Sequence, residues 1–293
     1  MQDKSKYETP TAFKSALETR LKARAKQVNR PYPTLRKLVA FDRLLARIFT
    51  NQDNSFALKG GYSLELRLGK SRTTKDVDLI LQNPVLLKQT GSAIGEELKA
   101  LLQEKLDQHI EDFFSFRLGK ATEITIATLG GYRIKATALL GGTFFDEFHL
   151  DIAIAETDPS PLEELTGESW LEFAGIDAAK PLAIPQELQF AEKLHAYTHI
   201  REGRENTREK DLIDMVILVQ RGIDPIETAK RMQAVFAARS THALPEELNP
   251  PPQSWGNIFA KHAEELDYPG TLEDAYQTVK RFFSDELLNT KSD

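Results

Sequence analysis

The sequence predicts an α+β chain whose N-terminal half is mixed and whose C-terminal half is helical, and three observations carry that expectation. Apolar residues recur at three-and-four spacing near the N-terminus; strand-length runs, alternating or stopped by glycine, fill 56–61, 73–81 and 114–155; and helical spacing returns beyond 186. Phe13, Leu17 and Leu21 lie on one helical stripe in 11–28. Leu35, Leu38, Val39, Leu44, Leu45 and Ile48 lie on another in 34–50, and Pro31-Tyr32-Pro33 separates the two. FALKGG at 56–61 is a short apolar run halted by two glycines, after which YSLELRLG resumes helical spacing: strand, tight turn, helix. TTKDVDLIL at 73–81 alternates Val77, Leu79 and Leu81 with Asp76, Asp78 and Ile80, a second strand with one acidic face. Residues 91–112 read as an acidic amphipathic helix. FFSFRL, TEITIATL, YRIKATALL and FFDEFHLDIAIAE, with Gly130-Gly131 and Gly141-Gly142 at turns, make a small sheet region of antiparallel leaning. A connector rich in Pro and Gly follows, and helices are expected at 186–200, 208–221, 225–238, 254–266 and 271–289. A chain of 293 residues suits two lobes, divided near 180 into 1–180 and 181–293.

Composition narrows the chemistry. The chain has 41% hydrophobic and 28% charged residues, which is ordinary for a folded domain, and no cysteine, which excludes disulfides, thiolate metal sites and a thiol nucleophile. No run approaches the roughly 20 apolar residues of a membrane span, and MQDKSKYETPTAFKSALETR has no apolar signal core, so a cytoplasmic location is expected. The net charge of −6 argues against a generic nucleic-acid coat, but Lys14, Arg20, Lys22, Arg24, Lys26, Arg30, Arg36, Lys37, Arg43 and Arg47 face only Glu18 and Asp42, a local +8. By itself that run reads more simply as a solvated helical face than as a phosphate-contact surface.

Asp76 and Asp78, at i and i+2 of a strand, present two carboxylates on one face. Such a pair suits magnesium, which takes one or two protein carboxylates and completes its shell with water and phosphate oxygens. A lone D-x-D is a weak signal, since two solvated acids at a sheet edge look the same. The upstream context strengthens it: Gly60 and Gly61 let backbone approach phosphate, the following helix offers unpaired N–H groups, and Ser63 in its first turn either donates to a phosphate or caps the helix. Asp151 in FHLDIAIAE shares a strand face with His149 and Ala153 and is a third carboxylate for the cluster, or the partner of a Lys or Arg. Farther on, Lys193 sits among apolar neighbours, and Lys210, Asp211 and Asp214 cluster on one helix surface. A buried ion pair between Lys193 and Asp211 and an i,i+4 pair between Lys210 and Asp214 are the ordinary explanations. His195 and His199 have metal-pair spacing without the glutamate of a zinc peptidase, so core packing is expected for His195 and exposure for His199. There is neither a G-x-S-x-G elbow nor a G-x-x-x-x-G-K-[ST] loop.

Taken together, KGGYSLELR, RTTKDVDLIL, EKLHA and REKDLIDM, in that order over roughly residues 56–220, resemble the AbiEii-type nucleotidyltransferase toxins, which include mycobacterial tRNA-modifying relatives. The resemblance implies a DNA-polymerase-β-like nucleotidyltransferase core with a helical C-terminal lobe. It also implies the toxin half of a type IV toxin–antitoxin pair active in abortive infection, a cognate antitoxin, magnesium as cofactor, and transfer of a nucleotide from a nucleoside triphosphate to the tRNA acceptor end. Carried over by position, the catalytic residues are Asp76, Asp78, Lys193 and Asp211, with metal on Asp76 and Asp78, and the strand reading adds Asp151 to both the catalytic and the metal set. Nucleotide contacts fall on Gly60, Gly61, Ser63, Lys193, Lys210 and Asp214. The family usually has a small hydroxyl residue after the two glycines, where this chain has Tyr62, so that role passes to Ser63. A tRNA substrate gives the basic segment a purpose, with Arg24, Arg30, Arg36, Lys37 and Arg208 as contacts and Arg201 and Arg204 extending them. The alternatives are transfer to a small molecule or protein side chain, and a fold kept only for binding nucleotide.

Overall fold

A computed structural model describes residues 6–69, 74–83, 87, 93–124, 130–199 and 206–289. Arg201, Arg204 and part of the predicted TEITIATL strand lie outside these residues. The chain forms two compact units, the first carrying Met1–Gly69, Thr73–Ala155 and Leu162–Ala183, the second Glu156–Pro161 and Ile184–Asp293.

In the first unit, helices α1 (Pro10–Gln27) and α2 (Tyr32–Ile48) bury the predicted stripes, with Phe13, Leu17, Val39 and Leu44 fully enclosed. Then come strand β1 (Phe56–Lys59), helix α3 (Gly60–Leu68), strand β2 (Asp76–Leu81), helix α4 (Ile94–Leu106), strands β3 (Phe114–Ile124), β4 (Gly131–Leu140) and β5 (Thr143–Ile154), and the short β6 (Glu163–Glu164) and β7 (Leu182–Ala183). Helix α4 stops at Leu106, six residues short of the predicted end. The strands build one sheet in the order β3-β4-β5-β2-β1-β7-β6. The expected small antiparallel region is therefore one end of a larger mixed sheet, because β5 pairs in parallel with β2. Val77, Leu79 and Leu81 from β2, Leu150 and Ile152 from β5 and Ile134 and Ala136 from β4 line the covered face. Alternation then forces Asp76, Asp78, His149, Asp151, Arg133 and Lys135 onto the other face.

A buried charge network fastens α2 to the sheet. The Arg47 guanidinium donates to both carboxylate oxygens of Asp112 at 2.9 and 2.6 Å and to the Phe114 carbonyl at 2.7 Å, while Arg43 contacts Asp42, Asp112 (3.7 Å) and the Asp177 carbonyl. Asp42, Arg43, Arg47 and Asp112 are all within 1% of fully buried. Burial raises the Asp42 pKa, and the neighbouring Arg43 works against that rise.

The second unit is helical: α5 (Gln186–Thr198), α6 (Glu209–Gln220), α7 (Pro225–Arg239), α8 (Gly256–Glu265) and α9 (Leu272–Arg281), the last running on into a π-helical turn at Phe282–Leu287. Helix α5 packs against α6 and α7, and α6 against α8 and α9, around Phe190, Leu194, Leu212, Val216 and Phe283. Mixed and helical parts in this order bear out the predicted fold class.

Three predictions follow from this packing. Asp112→Asn leaves Arg47 and Arg43 buried without their shared counter-charge and is expected to cost about 3–5 kcal/mol, read from the urea midpoint. Gly60 has φ +68°, and a Cβ there would lie 2.0 Å from Asp78 Oδ2, whereas a Cβ at Gly69, at φ +64°, would meet no atom of the described residues within 4 Å. Gly60→Ala is accordingly expected to destabilise by at least about 2 kcal/mol more than Gly69→Ala in the same assay. His195, 5% exposed against Phe236 and His242, has its pKa pushed down to about 3 by burial and then by Arg239. The folded chain therefore refuses a proton that the unfolded chain accepts below about pH 6.5, so the associated stability is present above that pH and is lost as pH falls toward the folded value. Thermal melts between about pH 7 and 4 should fall less steeply for His195→Asn than for the unaltered chain.

Candidate active site

The polar face of the sheet is organised by register. Across one row, Lys59 on β1 stands opposite Asp78 on β2, Asp78 beside Asp151 on β5, and Asp151 opposite Arg133 on β4. The signs run plus, minus, minus, plus. One step along, Asp76 neighbours His149, which neighbours Lys135, and His149 Nδ1 lies 3.6 Å from Asp76 Oδ1. Like charges side by side at low exposure repel, and the flanking cations offset that cost.

Strand β1 ends at Lys59, and the chain must turn at once into α3. Gly60 makes that turn at positive φ, against the Asp78 carboxylate, where no side chain fits. The N-terminus of α3, with Gly61 half-exposed on it, therefore starts beside Asp78, and its N–H groups lie on the side where an anion or a carboxylate is favoured. Ser63 is fully buried and its hydroxyl donates to the Gly60 carbonyl at 2.9 Å. The hydroxyl thus braces the glycine turn. Tyr62 is 2% exposed and packs edge-on against Phe41 with ring centroids 5.0 Å apart, so the aromatic residue after the glycines belongs to the core.

Asp76 and Asp78 fit a hard divalent cation. They are two carboxylates two residues apart on one face, Asp76 with 37% of its side chain exposed and Asp78 half-buried, and nucleotide and water oxygens would complete the shell. Asp151, the expected third ligand, is held by a guanidinium in this structure. Arg133 donates to both of its oxygens, from Nε at 2.7 Å and from the guanidinium NH2 nitrogen at 2.6 Å. Among the described residues no three His, Asp or Glu side chains converge as a metal cluster.

In the second unit, Lys193 on α5 donates to Asp211 at 3.2 Å and to Asp214 at 2.6 Å, and Arg208 reaches Asp211 at 3.5 Å. The four groups form a neutral cluster. Asp214, with no exposed side-chain area, is a partner of Lys193. Lys210 is exposed on the first turn of α6, and Asp214 bonds Lys193 in place of the suggested i,i+4 pairing. His195 is buried as expected, while His199 is half-buried, 3.3 Å from the Thr241 hydroxyl, rather than exposed.

The basic run at 14–47 is not one surface. Arg43 and Arg47 are interior, Arg30 donates to Glu65 at 3.2 Å, Arg36 contacts Glu18 and the Phe145 carbonyl, Lys37 donates to the Glu147 carbonyl at 2.8 Å, and Arg24 pairs with Glu168 at 3.2 Å. Much of the +8 is neutralised within the fold. No local sequence signal marks Arg133 or Lys59 as part of the site. The alternation in YRIKATALL puts Arg133 on the same face as Lys135, but nothing local says which strand lies alongside.

No curated protein sequence matches the chain. Among solved structures, the nucleotidyltransferase toxin MenT4 from Mycobacterium tuberculosis H37Rv superposes with a TM-score of 0.58 at 18% identity, covering 94% of this chain and 90% of that one, which shows a shared fold. A crystal structure assigned as a nucleotidyltransferase from H. pylori aligns over 86% of this chain and 95% of its own at 14% identity, with a TM-score of 0.41. The family model for the nucleotidyl transferase AbiEii toxin of type IV toxin–antitoxin systems matches residues 43–285, from α2 through the π-helical turn after α9, and the chain therefore belongs to the AbiEii nucleotidyltransferase toxin family.

Proposed function

We propose that the chain is a magnesium-dependent nucleotidyltransferase that transfers a nucleotide from a nucleoside triphosphate to the 3′ end of tRNA, blocks translation, and is opposed in the cytoplasm by a cognate antitoxin. The observation that carries the reading is the Asp76–Asp78 pair on the open face of β2 with the Gly60 turn packed against Asp78. Asp76 and Asp78 would hold the ion, which when bound supplies positive charge to the triphosphate and to the leaving pyrophosphate. The α3 N-terminus, through Gly60 and Gly61, offers N–H donors to the phosphates. An acceptor 3′-hydroxyl attacks the α-phosphorus, its proton passes to water, a new phosphodiester bond forms and pyrophosphate departs. Within the second unit, Lys193 keeps the phosphate-binding role that the family resemblance implies, with Asp211 and Asp214 fixing its ammonium and Lys210 free to reach an anion.

Support for a nucleic-acid acceptor comes from the cations on the catalytic face, Arg133, Lys135 and Arg117, each exposed along its strand, together with Arg208 and the family resemblance. A smaller acceptor is the second reading, favoured by one observation: Arg30, Arg36 and Lys37 spend their charge on partners within the fold.

Incubation with total tRNA, magnesium and each of the four labelled nucleoside triphosphates tests both readings. Label on tRNA with the unaltered protein, lost by at least about a thousandfold in Asp78→Asn while its thermal melt is unchanged, supports the proposal. Transfer to aminoglycosides or protein with none to tRNA moves the assignment to the second reading. Equal labelling by Asp78→Asn removes the paired carboxylates from the mechanism.

A further inference from the structure

The clamp on Asp151 has a consequence for the metal. Asp151 is the strand neighbour of Asp78, at the same level of the sheet, and has 11% of its side chain exposed; Arg133, which takes both of its oxygens, has 43% exposed. A bidentate guanidinium takes one lone pair on each oxygen and places a positive charge where a cation would sit, so it competes with a hard ion both for those lone pairs and by repulsion. The flank of Asp78 toward β4 thus already carries a positive charge, placed by the β4–β5 register of Arg133 against Asp151. Removing that charge would leave Asp78 and Asp151 adjacent, half-buried or deeper, and uncompensated on that side, an arrangement that draws in a cation.

We propose that Arg133 is a positioning residue that competes with divalent cations for Asp151, so that the unliganded chain presents a two-carboxylate site, Asp76 and Asp78, and Asp151 joins it only when Arg133 lets go. This rests on the reading of Asp76 and Asp78 as the metal pair. Arg133 takes the place of an ion at the third carboxylate and thereby weakens metal binding by the chain alone. Its exposed half leaves it open to an incoming anion, and an anion that engages the guanidinium releases Asp151.

The test is Mn2+ binding without nucleotide, followed by the loss of free-ion paramagnetic resonance signal, on the full chain and on Arg133→Met, Asp78→Asn and Arg133→Met/Asp151→Asn, with thermal melts of each. Arg133→Met is expected to bind Mn2+ at least about tenfold more tightly than the unaltered chain, because it exposes one more carboxylate to the ion. The double variant should return to within about twofold of the starting affinity, which assigns the gain to Asp151. Mn2+ should also raise the melting temperature of Arg133→Met more than that of the unaltered chain. Arg133→Lys, which keeps the charge but loses the fork, should fall between the two and guards against misfolding of the methionine variant. Unchanged or weaker binding by both Arg133 variants, with binding lost in Asp78→Asn, overturns the competition and leaves the paired-carboxylate reading standing. A gain that survives in the double variant also overturns it. Full Mn2+ binding by Asp78→Asn overturns both.

Discussion

The parallel pairing of β2 with β5 is the constraint on which the first unit depends. It joins the β1-α3-β2 segment to the β3-β4-β5 meander, strands more than 60 residues apart in the chain, and converts two small assemblies into a single seven-stranded sheet. A one-residue slip in this pairing would turn Leu150 and Ile152 toward solvent and Asp151 into the core, so the apolar residues of one face hold the carboxylates of the other in place. The energy comes from the covered face and the chemistry from the open one.

The open face raises an electrostatic problem that the fold solves locally. Asp78 and Asp151 cannot sit side by side without nearby positive charge, and the sheet provides it from both directions, Lys59 on one flank and Arg133 on the other. The α3 N-terminus adds a partial positive end at the glycine turn. Charge balance is thus built from backbone register, and it makes the site responsive to any cation or anion that enters it. The second unit follows a comparable logic in a helical setting, where Lys193 is stabilised by two carboxylates and Arg208 restores neutrality.

The basic segment shows why charge counted along a sequence misleads. Its arginines belong to helices whose other faces form the core, and α2 turns Arg43 and Arg47 inward to meet Asp42 and Asp112, the latter 65 residues from Arg47. Removing one member of such a buried pair leaves the other uncompensated, and the guanidinium N–H groups lean on distant carbonyls such as those of Phe114 and Asp177, while the buried Arg47 Nε finds no hydrogen-bond partner among the described residues. The charge run was visible; its neutralisation was not.

The sequence by itself determined the elements and their sidedness. Helical stripes at Phe13–Leu21 and Leu35–Ile48, the glycine turn after FALK and the alternation of Asp76 and Asp78 with Val77 and Leu79 are patterns of period 3.6 or 2, set by backbone geometry within a few residues. The motif order that resembles the AbiEii family was legible for the same reason, being a linear arrangement of short signals. Only the tertiary structure decided that Ser63 braces Gly60, that Asp214 is sealed against Lys193, and that Arg133 holds Asp151. The first contact is local, three residues apart in the first turn of α3, but the other two join residues on different helices or different strands, and which of those side chains meet is set by packing the whole apolar face, a property that no window of the sequence contains.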